Sequence, residues 1–224
     1  FPKKNLIQLS INILKLIENM VYNNFLLRLL LSSFFILIYC IFVYINFQYI
    51  YYLIFLIYIF VFIEIYLNFK LFKFLPISYL LISFIFFITI DFDKIILLNF
   101  NLFILIVISF DIFSYIIGKN FGKNKLSKIS PNKTYEGLFG GAFTSFFLSL
   151  LFSLIFEIHV NIELIFYILL IILSAFLGDV IESFFKRKNN LKNSSKFIPG
   201  HGGVFDRFDS FLFSIIIYSI SISI

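Results

Sequence analysis

Two stretches of this chain gather side chains able to handle phosphates. The first is Gly178-Asp-Val-Ile-Glu-Ser-Phe-Phe-Lys-Arg187, in which Asp179, Glu182, Ser183 and Lys186 recur at i, i+3, i+4 and i+7. On a continuous helix that spacing puts two carboxylates, a hydroxyl and an ammonium on one face. The second is Ile198-Pro-Gly-His-Gly-Gly-Val-Phe-Asp-Arg-Phe-Asp-Ser210, where Asp206 and Asp209 stand three apart at the start of a further apolar run. Carboxylates offered by two helix ends could hold a hard cation such as Mg²⁺, which takes one or two carboxylates together with waters and substrate phosphates. Between them, Gly200, Gly202 and Gly203 either let backbone N–H groups approach phosphate oxygens or merely turn the chain back. His201 fits a catalytic base or a structural hydrogen bond equally well. With only His159 elsewhere, no zinc cluster can form. For each charged pair taken singly, an interfacial salt bridge (Asp179 with Lys186, Asp206 with Arg207) is the plainer reading. Their concentration in one short region favours a site.

A third patch follows the fourth apolar run: Asp111, Gly118-Lys119, Gly122-Lys123 and Ser130-Pro-Asn-Lys-Thr-Tyr-Glu-Gly137, then Gly140-Gly141. Asp111 lies deep enough in apolar sequence to be costly unless paired or hydrated. Ser130 followed by Pro131 reads as an N-cap with proline at the first helical position. That helix would turn its positive end, with Lys133, toward an anion. Gly140 and Gly141 read as close helix-packing residues. Glu64, Glu157, Glu163, Asp91 and Asp93 read as solvated acids at span ends.

The elements that must carry these groups are set by composition. Of 224 residues, 61% are apolar and 13% charged, with mean hydropathy +1.03. A soluble domain cannot bury so much apolar surface, whereas a polytopic membrane bundle requires it. The single Cys40 excludes a disulfide framework. Apolar runs predict an all-α transmembrane helix bundle of about seven spans, near 26–46, 48–69, 75–91, 95–117, 137–157, 162–181 and 208–224. Residues 1–25 read as an amphipathic or disordered lead-in rather than a signal peptide, and 26–224 as one membrane catalytic domain. With alternating spans, the lysines and arginines of the N-terminus and of the loops after spans two, four and six all fall on one side. Only Lys94 falls on the other. The positive-inside rule places that rich side in the cytoplasm. The net charge of +6 therefore marks loops facing the cytoplasm, not a nucleic-acid partner. The matches at Asn132-Lys-Thr and Asn193-Ser-Ser are dismissed as glycosylation sites on the same ground.

Ser183-Phe-Phe-Lys-Arg, Lys192-Asn193 and Ile198-Pro-Gly-His-Gly-Gly-Val-Phe-Asp-Arg-Phe-Asp209 together resemble the signature of the phosphatidate cytidylyltransferases, or CDP-diglyceride synthases. The earlier block 111–141 and Gly178-Asp179 resemble further motifs of that family, so the likeness runs over about 111–210. Asn193 stands where the family usually has Asp, which removes one carboxylate, and Tyr135 stands at a position often Trp. The resemblance implies transfer of a cytidylyl group from CTP to phosphatidate, yielding CDP-diacylglycerol and pyrophosphate for phospholipid biosynthesis, at the cytoplasmic face of the inner membrane. It implies Mg²⁺ on Asp179, Asp206, Asp209 and Glu182, leaves room for a second, monovalent cation, and allows a homodimer. Asp179, Asp206, Lys186, Arg187 and Arg207 become the catalytic set. Lys133, Ser130, Asp111, Ser183, Lys192, His201, Gly202 and Gly203 become substrate contacts.

The attacking group in that reaction is a phosphomonoester oxygen, largely ionised at neutral pH because its second pKa is about 6. No general base is required; charge neutralisation and in-line positioning are. A CTP-dependent polyprenol or other lipid kinase is the alternative, and it would need a base, for which His201 is the candidate. An ion or solute transporter is a further alternative, but it would spread charge through the membrane depth, whereas here charge gathers on one face.

Overall fold

The structure is a computed structural model that describes residues 37–92, 97–127, 130, 133–195 and 202–223. The lead-in, most of the first predicted span, Asp93, Lys94 and His201 lie outside the described residues. Seven helices are described: α1 over 37–45, α2 Tyr49–Asn68, α3 Phe74–Ile88, α4 Leu97–Phe121, α5 Tyr135–Ile155, α6 Ile162–Lys188 and α7 Phe205–Ser223. This is an all-α membrane bundle. In hydrocarbon a backbone must satisfy its own hydrogen bonds, and a helix does so within one segment. Of the described helices, α2, α4, α5 and α6 are long and apolar enough to cross a bilayer. The seven described helices agree with the expected bundle of about seven spans, although not all of them are long enough to span by themselves. The run assigned to 75–91 yields a 15-residue helix, short of the roughly 20 residues a bilayer needs.

Two helices overrun the predicted spans in a way that matters. α6 has 27 residues, about 40 Å at 1.5 Å per residue, against about 30 Å of hydrocarbon. An apolar window ends it at 181, but the helix continues through the polar face to Lys188. It starts at Asn161, whose side chain accepts from Leu164 N at 2.9 Å, and ends with Lys186, Arg187 and Lys188 in its last turn. Those cations suit the negative end of the helix dipole. α4 likewise runs to Phe121 and carries Lys119 in its last turn.

Packing inverts the soluble pattern. On α5, Ser145, Ser149 and Ser153 are fully buried while Phe139, Phe143, Phe147 and Leu151 face outward. Ser145 Oγ donates to the Ile106 carbonyl at 2.9 Å, and Ser109 Oγ meets Ser145 Oγ at 2.9 Å. Lipid offers no hydrophobic drive between helices, so small residues and hydroxyl bonds join α5 to α4. Gly141 is essential to that fit, because a Cβ there would come within 2.7 Å of Ser114 Cβ. The packing expected of Gly140 and Gly141 is what the structure has.

α6 and α7 pair in the same manner. Ser174 Oγ and Ser214 Oγ lie 3.0 Å apart. A Cβ on Gly178 would meet the Asp209 carbonyl at 2.5 Å. The absence of that Cβ lets the acidic ends of the two helices come together. Behind them an aromatic core includes Phe103 stacked on Tyr218 at 4.5 Å and Phe100 edge-on to the same ring.

Candidate active site

Most of the polar residues singled out in the sequence line a cavity of about 710 Å³ formed by α4, the start of α5, α6, α7 and the loops that join α4 to α5 and α6 to α7. Six cations and four acids border it: Lys119, Lys133, Lys186, Arg187, Lys192, Arg207, and Asp111, Asp179, Asp206, Asp209. Ser130, Ser183 and Asn193 lie on the same wall. A hydrogen bond between Ser210 and Asp111, 99 residues apart in sequence, ties α7 to α4 beside this space.

Lys133 reaches the cavity on a small hairpin. Lys125 and Thr134 form an antiparallel bridge, Leu126 N donates to the Lys133 carbonyl at 2.9 Å, and Tyr135 N donates to the Asn124 carbonyl at 3.0 Å. Glu136 accepts from the Asn124 side-chain amide at 2.8 Å and pins the outer turn. The helix after this loop begins later than expected. Its N-cap is Thr134, whose hydroxyl accepts from Gly137 N at 3.1 Å; Ser130 does not fill that role. Lys133 therefore precedes the helix and is free of its ladder. Its ammonium pairs with Asp179 Oδ2 and sits 5.7 Å from the centre of the Phe176 ring.

The acids fall into two groups. Ser210 Oγ lies at the hub of the first, 2.7 Å from Asp111 Oδ2 and 3.4 Å from both Asp179 Oδ1 and Asp209 Oδ1. One hydroxyl has a single proton to give, so it cannot neutralise three carboxylates. Asp111 Oδ1 is buried with no hydrogen-bond partner. The second group is organised by Lys186, whose Nζ lies 2.5 Å from Glu182 Oε2 and 2.7 Å from Asp206 Oδ1. Asp206 also accepts from Ser194 N at 3.0 Å and from Gly203 N at 2.9 Å.

Several expectations are corrected by this geometry. Gly202 and Gly203 do not offer their backbone to the cavity, and neither lines it. Gly202 sits at φ +86°, where a Cβ would meet Asp206 Oδ2 at 2.5 Å, and the Gly203 N–H is committed to Asp206. The glycines wrap a carboxylate, not a phosphate. Glu182 is 0% exposed, faces Lys186, and does not line the cavity. Its carboxylate is held one layer behind the wall. Asp111, read as a substrate contact, borders the cavity and gathers with Asp179 and Asp209 around Ser210 Oγ. The salt bridges considered from sequence also change partners: Asp179 pairs with Lys133, and Asp206 with Lys186.

Glu64 is the residue that sequence reasoning missed. It is 4% exposed, not solvated, and its Oε2 accepts from Val204 N at 2.6 Å and Phe205 N at 3.2 Å. An acid within an apolar helix was the available signal, since such groups need partners. Its position near the end of a span concealed this. Glu157, Glu163 and Asp91 are exposed, as expected.

Fold and site together define a polytopic helical membrane protein with an acid- and base-lined cavity at one end of its long helices. The profile of the cytidylyltransferase family matches residues 11–224, and the chain belongs to that family. Among curated relatives it is similar to proteins named phosphatidate cytidylyltransferase. It is 42% identical over 106 residues to that of Staphylococcus epidermidis, covering 46% of this chain and 40% of the relative. It is 40% identical over 112 residues to that of Bacillus subtilis, covering 47% of this chain and 40% of the relative. The matched stretch thus spans less than half the length of these relatives.

Proposed function

We propose that the chain transfers the cytidylyl group of CTP to phosphatidate, forming CDP-diacylglycerol and pyrophosphate. The observation that carries this reading is the cavity itself. Six cations and four acids border one water-accessible space in a helix bundle whose outer faces are Phe, Leu and Ile. Such a space suits two phosphate-bearing substrates, one of which keeps its acyl chains in the bilayer. Membership of the cytidylyltransferase family favours this reaction over the lipid-kinase and transporter readings.

Two anions must be brought together, and the basic residues answer that need. Lys133, Lys186, Arg187, Lys192 and Arg207 approach the cavity from three chain segments. They can divide the triphosphate and the lipid phosphate between them and lower their mutual repulsion. The incoming phosphomonoester oxygen is already ionised, so the cavity has no proton to remove. Positioning and charge are what these residues contribute.

The carboxylates fit a divalent ion as well. Asp111, Asp179 and Asp209 converge on Ser210 Oγ, and Asp111 Oδ1 is buried without a partner. Among the described residues no three acids are already spaced as a finished coordination shell. Lys133 pairs with Asp179 at this cluster, which places its ammonium beside the carboxylates and within reach of a bound phosphate. Asp111, Asp179 and Asp209 are therefore the residues that would hold Mg²⁺. Asp206, with its oxygens already engaged by Lys186 and two backbone N–H groups, orients Lys186. When bound, the ion supplies charge stabilisation for the phosphorus centre and the departing pyrophosphate.

The loops that form the mouth carry the excess of lysine and arginine, so the cavity opens toward the cytoplasm by the positive-inside rule. Purified protein supplied with phosphatidate, Mg²⁺ and CTP labelled at the α or the γ phosphate tests the reaction. Label from the α position alone should enter the lipid. Lipid labelled from the γ position would overturn the proposal in favour of a kinase.

A further inference from the structure

The described loop between α6 and α7 rests on a carboxylate from the other half of the chain. Val204 N and Phe205 N are among the first N–H groups of α7 and have no acceptor within their own helix. Glu64 Oε2 accepts both, at 2.6 and 3.2 Å. The two residues are 140 and 141 positions away in sequence, so this is a helix cap supplied in tertiary contact. A carboxylate at this position also complements the positive end of the α7 dipole.

The remaining oxygen of Glu64 faces the same loop. Glu64 Oε1 and Ser194 Oγ are both buried without hydrogen-bond partners. Both crowd the point where a Gly203 Cβ would stand. Gly203 N and Ser194 N are the two backbone donors that hold Asp206. Asp206 in turn holds Lys186 at 2.7 Å. Glu64 thus touches both the start of α7 and the backbone that fixes the Asp206–Lys186 pair. Two further contacts keep α2 in place: Asn189 Oδ1 accepts from Leu71 N at 2.8 Å, and Phe69 meets Phe205 with ring centres 6.1 Å apart.

We infer that Glu64 is a positioning residue for the reaction proposed above. It caps α7 from α2 and so sets where Asp206 places Lys186 in the cavity. This rests on the cytidylyltransferase reading for its kinetic consequence, but the cap itself does not. The Gly203 position becomes a packing requirement of Glu64, which explains why the loop needs glycine there without any phosphate contact.

Glu64→Ala, Glu64→Gln, Gly203→Ala and the Glu64→Ala/Gly203→Ala double variant test this in the full-length protein, in bilayer nanodiscs. Hydrogen exchange at Val204 and Phe205 is the first measurement. Loss of a buried acceptor should speed it about tenfold or more in Glu64→Ala, while exchange within α4 stays unchanged. Glu64→Gln keeps an acceptor oxygen and should exchange within about threefold of the parent. The second measurement is kcat for cytidylyl transfer, expected to fall about tenfold in Glu64→Ala and in Gly203→Ala, with Glu64→Gln retaining most activity. The double variant should lose less than the two single losses combined, because both disturb the Glu64–Gly203 contact and only the Ser194 hydroxyl still meets the new methyl. Parental exchange in Glu64→Ala overturns the cap, as does a Gln variant as damaged as the Ala variant. Additive losses in the double variant overturn the shared role. A parental protein that transfers no cytidylyl group sinks the reaction instead, and the exchange measurement then judges the cap alone.

Discussion

At the scale of single residues, the cavity separates acids that gather from acids that are already engaged. Asp111, Asp179 and Asp209 crowd one hydroxyl, and a group of that kind can keep all its negative charge only with added positive charge nearby. Asp179→Asn, with unchanged protein abundance, is expected to lower turnover by ~10²–10³-fold, the usual loss for one electrostatic contact to a transition state. A near-parental rate in a purified assay would remove Asp179 from the site. Lys133→Ala takes away the cation that neutralises Asp179 in this structure. The expected result is a raised KM for CTP or phosphatidate together with a lower kcat, separated by titrating each substrate. Asn193 lines the cavity beside Lys192, where a carboxylate would be one more acid among four. Asn193→Asp is expected to be tolerated, with kcat within about threefold of the parent as for most surface changes away from a buried network. An inactive Asp variant would show that the cavity is tuned to the amide.

At the scale of elements, length and fit decide what reaches the cavity. α6 brings Asp179, Ser183, Lys186 and Arg187 to it because 27 residues outrun the hydrocarbon. α5 is tied to α4 by small residues and hydroxyls, and at Gly141 the neighbour is the backbone and Cβ of Ser114, which cannot swing away. A methyl at Gly141 would press into Ser114 at 2.7 Å. Gly141→Ala should therefore destabilise the fold by ~1–3 kcal/mol, the usual cost of overpacking a filled interface. A lowered melting temperature in detergent checks it. Thr134→Ala removes the side chain that accepts from Gly137 N. Its expected cost is about 1 kcal/mol for a lost N-cap, with a further loss of activity because Lys133 is the adjacent residue. Melting and turnover should fall together in that variant; a fall in neither would show that the hairpin holds Lys133 without the cap.

At the scale of the whole molecule, polarity is inside-out and one-ended. Outward faces carry Phe, Leu and Ile, buried stripes carry serine, and the charged side chains of the cavity cluster where α4 and α6 end. Placing that end in the cytoplasm predicts which side a water-soluble reagent reaches. With Cys40 replaced by Ser, a lone cysteine at Lys123→Cys should react with an impermeant maleimide in inverted membrane vesicles and stay unlabelled in intact cells. Labelling from outside would reverse the orientation and deny the cavity its cytoplasmic nucleotide.

Much of this was legible in the linear chain. Apolar run length reports burial in lipid directly, so the all-α membrane class followed from composition and hydropathy. Charges that survive among such runs must be partnered, so most of the cavity's lining, from Asp111 to Asp209, was named correctly as a region. What each charge does was not legible, because partners are chosen by which helices touch. Hydropathy ended α6 before its polar turns, and Ser130 was read as the cap that Thr134 provides. Tertiary packing alone decided that Lys133 pairs with Asp179, that Asp206 pairs with Lys186, and that Gly203 makes room for Glu64. Those are contacts between residues 20 to about 140 positions apart, and no local pattern records where two helices approach closely enough for a glycine to matter.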